Sequence, residues 1–298
     1  MSIIMTLIKR NVKLFFKDKA MFFVSLITPG ILLVLYSTFL GNVYRDAFTS
    51  NLPLGFVIEE SLIDGLVAGQ LTSSILAVST VTVAFCANFL MVQDRANGTA
   101  KDLLISPVKS TALSLSYYIA ALISTLIICC TATALCLAYI AIVGWYLSFT
   151  DVLLLYLDVI LLVLFGTALS SIVSFFLSTQ GQISAVGTII SSVYGFICGA
   201  YMPISNFGEW LQKTVLFLPG TYGTALLRNH ALGSVFEKIK DTGVPDEVIR
   251  EMKNAVDCNL YVNNYSFPQS IMYLILCVST VLLIIAYVIM NFYKNKKR

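Results

Sequence analysis

Residues able to do chemistry are few in this chain of 298, and their spacing excludes more than it offers. A Gly-x-x-x-x-Gly-Lys-Ser/Thr loop, whose backbone amides would cradle phosphates, is absent, and so is His-Glu-x-x-His. The single histidine, His230, supplies neither a Ser–His pair nor a metal cluster and reads as a surface residue. Six of the seven cysteines, Cys86, Cys129, Cys130, Cys136, Cys198 and Cys277, sit in apolar runs, where small apolar packing explains them. Cys258 stands alone outside those runs, so no disulfide framework follows. Asp158 is the one acid placed within a span. It lies roughly 10 Å along a helix from Asp151, so it reads as reaching the outer interface, with a buried ion-coupling group as the alternative. The expectation is a chain that is not an enzyme and holds no metal or cofactor of its own.

The densest polar constellation is a short island at 94–107, Asp-Arg-Ala-Asn-Gly-Thr-Ala-Lys-Asp-Leu-Leu-Ile-Ser-Pro, between two long apolar runs. Gly98 permits a sharp entry, Thr99 can cap a helix, and Asp102 can complete a capping box. Ser106 precedes Pro107, which disfavours helical geometry there and confines the helix to 100–105. So short a helix is not stable alone in water. Leu103 and Leu104 therefore need a surface, either another protein or the chain's own spans and the lipid headgroups.

The elements that position this island are membrane spans. With 58% hydrophobic and 12% charged residues, the chain is too apolar for a soluble domain. Five runs, 20–44, 65–93, 110–150, 159–208 and 258–293, contain no Asp, Glu, Lys, Arg or His. Each exceeds the roughly 20 residues that a span needs. The fourth is long enough for two spans, with Gly181 as the natural turn residue. An all-α integral membrane protein with six spans follows, at 20–40, 66–92, 112–144, 152–177, 183–202 and 268–292. The first run is too long for a signal-peptide core and reads as an uncleaved span. Twelve of the 19 Lys and Arg fall with the termini and the island, beside only three acids, whereas the other seven share the opposite side with thirteen acids. The positive-inside rule puts both termini and the island in the cytosol, and the charge asymmetry does not signal nucleic-acid binding.

Ile4, Leu7, Ile8, Val12, Phe15 and Phe16 recur at helical spacing opposite Lys9, Arg10, Lys13 and Lys17, so 1–19 reads as an amphipathic interfacial helix. Pro29-Gly30 predicts a kink in the first span. Gly166, Ser170, Ser174 and Ser178 form a small-residue stripe in the fourth span, and Gly187, Ser191, Gly195 and Gly199 another in the fifth. The stripes either face each other within one hairpin, or one of them meets a second protomer or lines a path between protomers. Beyond the fifth span, Asn206 and Glu209 read as a helix start and Pro219-Gly220 as its end, followed by a short apolar stretch at 221–227. These half-length helices read as re-entrant dips into the outer leaflet. The stretch 231–267 reads as a charged, loop-like extracellular cap with one helix starting at Pro245-Asp246-Glu247.

The island resembles the first cytoplasmic loop of ABC-2 type transporter permeases, whose pattern is roughly Glu-Arg-Glu-x-Gly-Thr-x-Glu-x-Leu-Leu-x-Ser-Pro. Asp94, Arg95, Gly98, Thr99, Leu103, Leu104, Ser106 and Pro107 match it or substitute conservatively, while Ala96 and Lys101 replace two of its acids. The resemblance extends to the amino-terminal helix, the six spans, and the outer segment 203–228 with its Leu218-Pro219-Gly220-Thr221-Tyr222. Gly208 stands where a proline is common. What this resemblance implies is a single transmembrane domain at 1–298 in the plasma membrane. It would form an export pathway as a homodimer or with a paralogous permease, docked through the coupling loop 93–111 on a separate ATPase subunit that holds ATP and Mg. It further implies that Gln180 and Gln182 lie near that ATPase, and that an outer gate includes Pro203, Trp210, Pro219 and Tyr222. The alternatives are an ion-coupled secondary transporter or channel, or a non-transporting scaffold or sensor.

Overall fold

The computed structural model describes residues 3–50, 58–106, 108–262 and 265–296; Pro107 lies outside them, as do the terminal Lys297 and Arg298. The described chain is helical apart from one small hairpin. Its centre is a long helix, α4 (Glu60–Ala96), following α1 (Ile3–Lys17), α2 (Lys19–Leu35) and α3 (Gly41–Ser50). At about 1.5 Å per residue α4 is roughly 55 Å long, more than the apolar thickness of a bilayer. It is buried almost all round because it is apolar or small on every face, and the hydroxyls of Ser73, Ser79, Thr80 and Thr82 are spent on its own carbonyls. Ser79 donates to the carbonyl of Ile75 at 2.5 Å and Thr82 to that of Val78 at 3.0 Å. Around it pack α1, α2, α6 (Ser110–Val143), α7 (Phe149–Phe176), α8 (Gln180–Ile197) and α10 (Pro219–Asp241), with α12 (Gln269–Lys296) on the far side of α7.

Five helical segments are long and apolar enough to cross a membrane: Phe22–Asp46, Glu60–Ala96, Ser110–Val143, Phe149–Phe176 and Gln269–Tyr293. The first continues past its expected end because a π-helical turn, Tyr36–Leu40, joins α2 to α3 without a break. The span expected at 183–202 is α8, whose 18 residues carry enough Ser, Thr and Gln to fall short of that standard; five described segments meet it, not six. Gly181 lies within α8 rather than at its turn. The turn is instead closed by a capping box in which the Gln182 side chain accepts the amide of Thr179 and the Thr179 hydroxyl accepts that of Gln182.

The segment 203–267 departs furthest from expectation. Pro219 opens a helix instead of ending one, since its missing amide costs nothing at the first helical position. The 23-residue α10 then runs through Arg228 and on to Asp241, where a loop was expected. The polar residues that read as its end are internally paired, so they do not stop it. Asn206 is not a cap: it closes a 3₁₀ turn, Ile204–Asn206, and Gly208 precedes α9 (Glu209–Val215) without a side-chain cap. The helix at Pro245 forms as expected, as α11 (Asp246–Ala255), and a hairpin of β1 (Tyr261–Val262) and β2 (Tyr265–Ser266) follows.

The two small-residue stripes do not face each other. Gly166 meets the backbone of α4, where an added Cβ would lie 2.8 Å from the Thr80 carbonyl. One turn on, Asn88 of α4 donates to the Ser170 hydroxyl at 2.5 Å and accepts from Ser171 at 3.1 Å. Gly187 of α8 rests on Phe89 of α4, and Gly195 lies under the Tyr201 ring. Ser191 offers its carbonyl to the Tyr201 hydroxyl at 3.2 Å, and Gly199 turns the chain in the left-handed region at φ 74°. Close approach is what the stripes predict, and the partner turns out to be the central helix and the chain's own next turn.

Candidate coupling site and membrane groove

Gly98, at φ 83°, reverses the chain after α4 so that α5 (Thr99–Ile105) runs beneath it. Gly98 itself stands at the cap position with no side-chain bond, so Thr99 is the first helical residue and Asp102 closes no capping box. Ser106 is extended, as a residue before proline should be, and its hydroxyl donates back to the Leu103 carbonyl at 2.6 Å.

The two charged residues that lead into α5 are turned inward. Asp94 accepts Arg10 of α1 at 2.8 Å and the Tyr117 hydroxyl of α6 at 2.5 Å, and is nearly buried. Burial opposes the charge on Arg10, but the Asp94 carboxylate outweighs it and holds the guanidinium above its ordinary value. Arg10 also bonds Asn11, whose amide lies 3.5 Å from the Ser116 hydroxyl. Arg95 reaches the end of α7, where its Nη1 donates to the carbonyls of Ser174, Phe175 and Leu177 at 3.0, 3.1 and 3.3 Å. A helix end leaves its last carbonyls short of amide partners, although that of Ser174 also accepts the Leu177 amide at 3.3 Å.

Leu103 and Leu104 are partly buried against Leu7, Met91, Leu113 and Tyr117, so they seat α5 on the chain's own helices. The face left to solvent carries Lys101, Asp102 and Ile105, the last 86% exposed. At the neighbouring turn Gln180 and Gln182 are exposed, although the Gln182 side chain is engaged in capping α8.

On one flank of the bundle, α2 and α3 stand apart from α8 and leave a groove of about 1270 Å³. One wall is aliphatic, with Val24, Ile27 and Ile31. The other bears hydroxyls at every fourth position, Ser184, Thr188 and Ser192, each donating to the carbonyl one turn back at 3.2, 2.9 and 2.7 Å. Among the described residues, none that lines it is charged. Of the four expected gate residues only Pro203 lines the groove. Trp210 points outward and is 78% exposed, Pro219 begins α10, and the Tyr222 hydroxyl bonds the Leu216 carbonyl at 2.8 Å.

Two buried polar clusters hold α10, and residue spacing alone indicated neither. His230, expected at the surface, is buried with its Nδ1 2.6 Å from Asp158, which has no exposed surface and does not reach the interface. Tyr273 of α12 donates to the other carboxylate oxygen at 2.6 Å. The available signal was that the chain has a single histidine and a single acid placed within an expected span. Arg228 pairs with Asp257 at 3.1 Å and bonds the Gly199 carbonyl, while Asp257 accepts the Ile204 amide at 2.6 Å. Burial nevertheless holds the Asp257 carboxyl above its ordinary range, against the opposing pull of Arg228.

A family model described as ABC-2 type transporter matches residues 3–231. No individual curated protein matches the chain.

Proposed function

The chain belongs to the ABC-2 type transporter family, as a multi-pass membrane permease of an ATP-binding cassette transporter, and we propose that it forms an export pathway as a dimer. It couples through α5 to a separate ATPase subunit, which carries the ATP and Mg chemistry that this chain's residues do not supply. In this reading α8 is the sixth span, and the lysine- and arginine-rich side, with both termini and α5, faces the cytosol at the plasma membrane. The dimer partner is a second copy or a paralogous permease.

The observation that carries this reading is the mounting of α5. A helix of seven residues has little stability of its own, yet Leu103 and Leu104 bolt it to α1, α4 and α6, and Ile105 is left facing solvent. Movement imposed on Ile105 by a partner would be passed through Asp94 to α1 and α6 and through Arg95 to α7. The uncharged groove between α2 and α8 suits an amphipathic or apolar cargo with neutral polar groups.

Purification from the native membrane tests the reading directly. The wild-type chain should bring down an ATP-binding cassette ATPase, and Ile105→Asp should lose it while inserting and folding normally. Undiminished capture by that variant would refute α5 as the docking element. Transport driven by an ion gradient in liposomes without any ATPase would favour the ion-coupled alternative, for which Asp158 is the available group.

A further inference from the structure

Asp158 lies roughly 14 Å along α7 from its outer end, and its side chain is completely enclosed. Both carboxylate oxygens are occupied, Oδ2 by His230 Nδ1 and Oδ1 by the Tyr273 hydroxyl, each at 2.6 Å, and the two rings stack at 6.3 Å. With a neutral imidazole every one of these contacts can form, but the cluster then carries a net charge of −1 where an uncompensated charge is costly.

Among the described residues, no neighbouring element supplies the missing positive charge. Between Asp64 and Asp94, α4 has no charged residue, and neither α6 nor the stretch of α12 from Gln269 to Tyr293 has any. On α12 the adjoining titratable groups are Tyr273 itself and Cys277. Asp151, two turns outward on α7, is taken by Ser148 and by Ser234 of α10. Arg228 on α10 is taken by Asp257 and the Gly199 carbonyl, and Lys253 of α11 sits over Phe236, further along α10. One proton added at His230 Nε2 would turn the cluster into a neutral imidazolium–carboxylate pair, with no bond between heavy atoms made or broken.

We infer that Asp158, His230 and Tyr273 form a proton-binding site that controls how firmly α10 is seated on α7 and α12. Loaded, the site is neutral and the three helices stay closed; unloaded, its buried negative charge favours entry of water and loosening of α10. The inference rests on the proposed topology in one respect, that α10 belongs to the outer half and the proton therefore comes from outside the cell.

Backbone amide exchange across α10, measured on the full chain in lipid nanodiscs over roughly pH 5 to 9, tests it. After correction for the intrinsic pH dependence of exchange, opening should increase about tenfold from the acid to the alkaline end, within the limit of tenfold per pH unit for one linked proton. His230→Gln and Asp158→Asn should each abolish that residual dependence, and either variant suffices if the other does not fold. Ser234→Ala, which removes a neighbouring contact to Asp151 and no proton site, should raise exchange by the same factor at every pH. A wild-type profile with no residual pH dependence would overturn the inference, and so would an unchanged profile in His230→Gln. Equal, pH-independent loosening in all three variants on an unchanged wild-type slope would also overturn it, making the cluster a structural pin. ATPase capture from the same preparations reports separately on the transporter reading, so either can fail without the other.

Discussion

Arg95 and Ser174 join the turn before α5 to the far end of α7: the guanidinium donates to the Ser174 carbonyl at 3.0 Å, with the Phe175 and Leu177 carbonyls alongside. An arginine that reads from its motif as a docking group is thus a C-terminal cap for a helix 79 residues away in sequence. Hydrogen bonds from a charged donor contribute about 1.5–3 kcal/mol each at most, and several carbonyls share this one. Arg95→Ala should destabilise the chain by roughly 2 kcal/mol, seen as a lower midpoint in thermal unfolding in detergent. Arg95→Lys should recover only part of it, because a point charge cannot bridge carbonyls as a planar fork does.

Asp94 and Arg10 make the corresponding link to α1, with Tyr117 as a third member. Arg10→Ala and Asp94→Ala, combined in a double-mutant cycle, should show a coupling energy of about 0.5–3 kcal/mol, as residues in one network do. Additive effects would mean that α1 is held by its apolar face alone, through Leu7, Ile8 and Phe15.

On α5 the structure separates two kinds of leucine-like residue. Leu104→Asp should lower stability and partner binding together, since Leu104 packs against the apolar cluster of Leu7, Met91, Leu113 and Tyr117. Ile105→Asp should leave the unfolding midpoint within about 0.5 kcal/mol of wild type, as surface substitutions do, and abolish ATPase capture. Parallel measurement of midpoint and capture on both variants checks the split; an Ile105→Asp variant that unfolds early would place Ile105 in the fold instead.

The contrast between these residues shows where sequence reasoning reaches its limit. The position, length and termination of α5 were legible, because Gly98 and the Ser106-Pro107 pair act through local backbone geometry. Which of Leu103, Leu104 and Ile105 faces inward was not, because that depends on where α1 and α6 stand. The same division holds further along. Charge-free apolar runs locate five membrane-length helices, but they made 221–227 a short apolar stretch that ends before Arg228, because Arg228, Asn229 and His230 are polar until their partners Asp257, Cys258 and Asp158 are known. A proline such as Pro219 can follow a helix end or open a helix, and only the packing of what comes next decides between them. The α8 boundary was recoverable in principle, since Thr179 and Gln182 have capping-box spacing.

Gly166 gives the sharpest case in which a pattern was legible and its partner was not. Small residues every fourth position announce a close helix crossing, and the crossing is with α4, where the Thr80 carbonyl and Val81 leave no room for a methyl group. Gly166→Ala must push α7 away from α4 and strain the Asn88–Ser170 contact one turn on, at a cost of about 1–3 kcal/mol. Because both helices belong to one protomer, the loss should be the same at every protein concentration. Gly187→Ala meets only the edge of the Phe89 ring, which can give, so its cost should be smaller. Thermal unfolding of the two variants at several concentrations, with size-exclusion chromatography of each, distinguishes the cases. A Gly166→Ala defect that appears only on dilution, together with loss of dimer, would move that stripe from the inside of the protomer to its boundary.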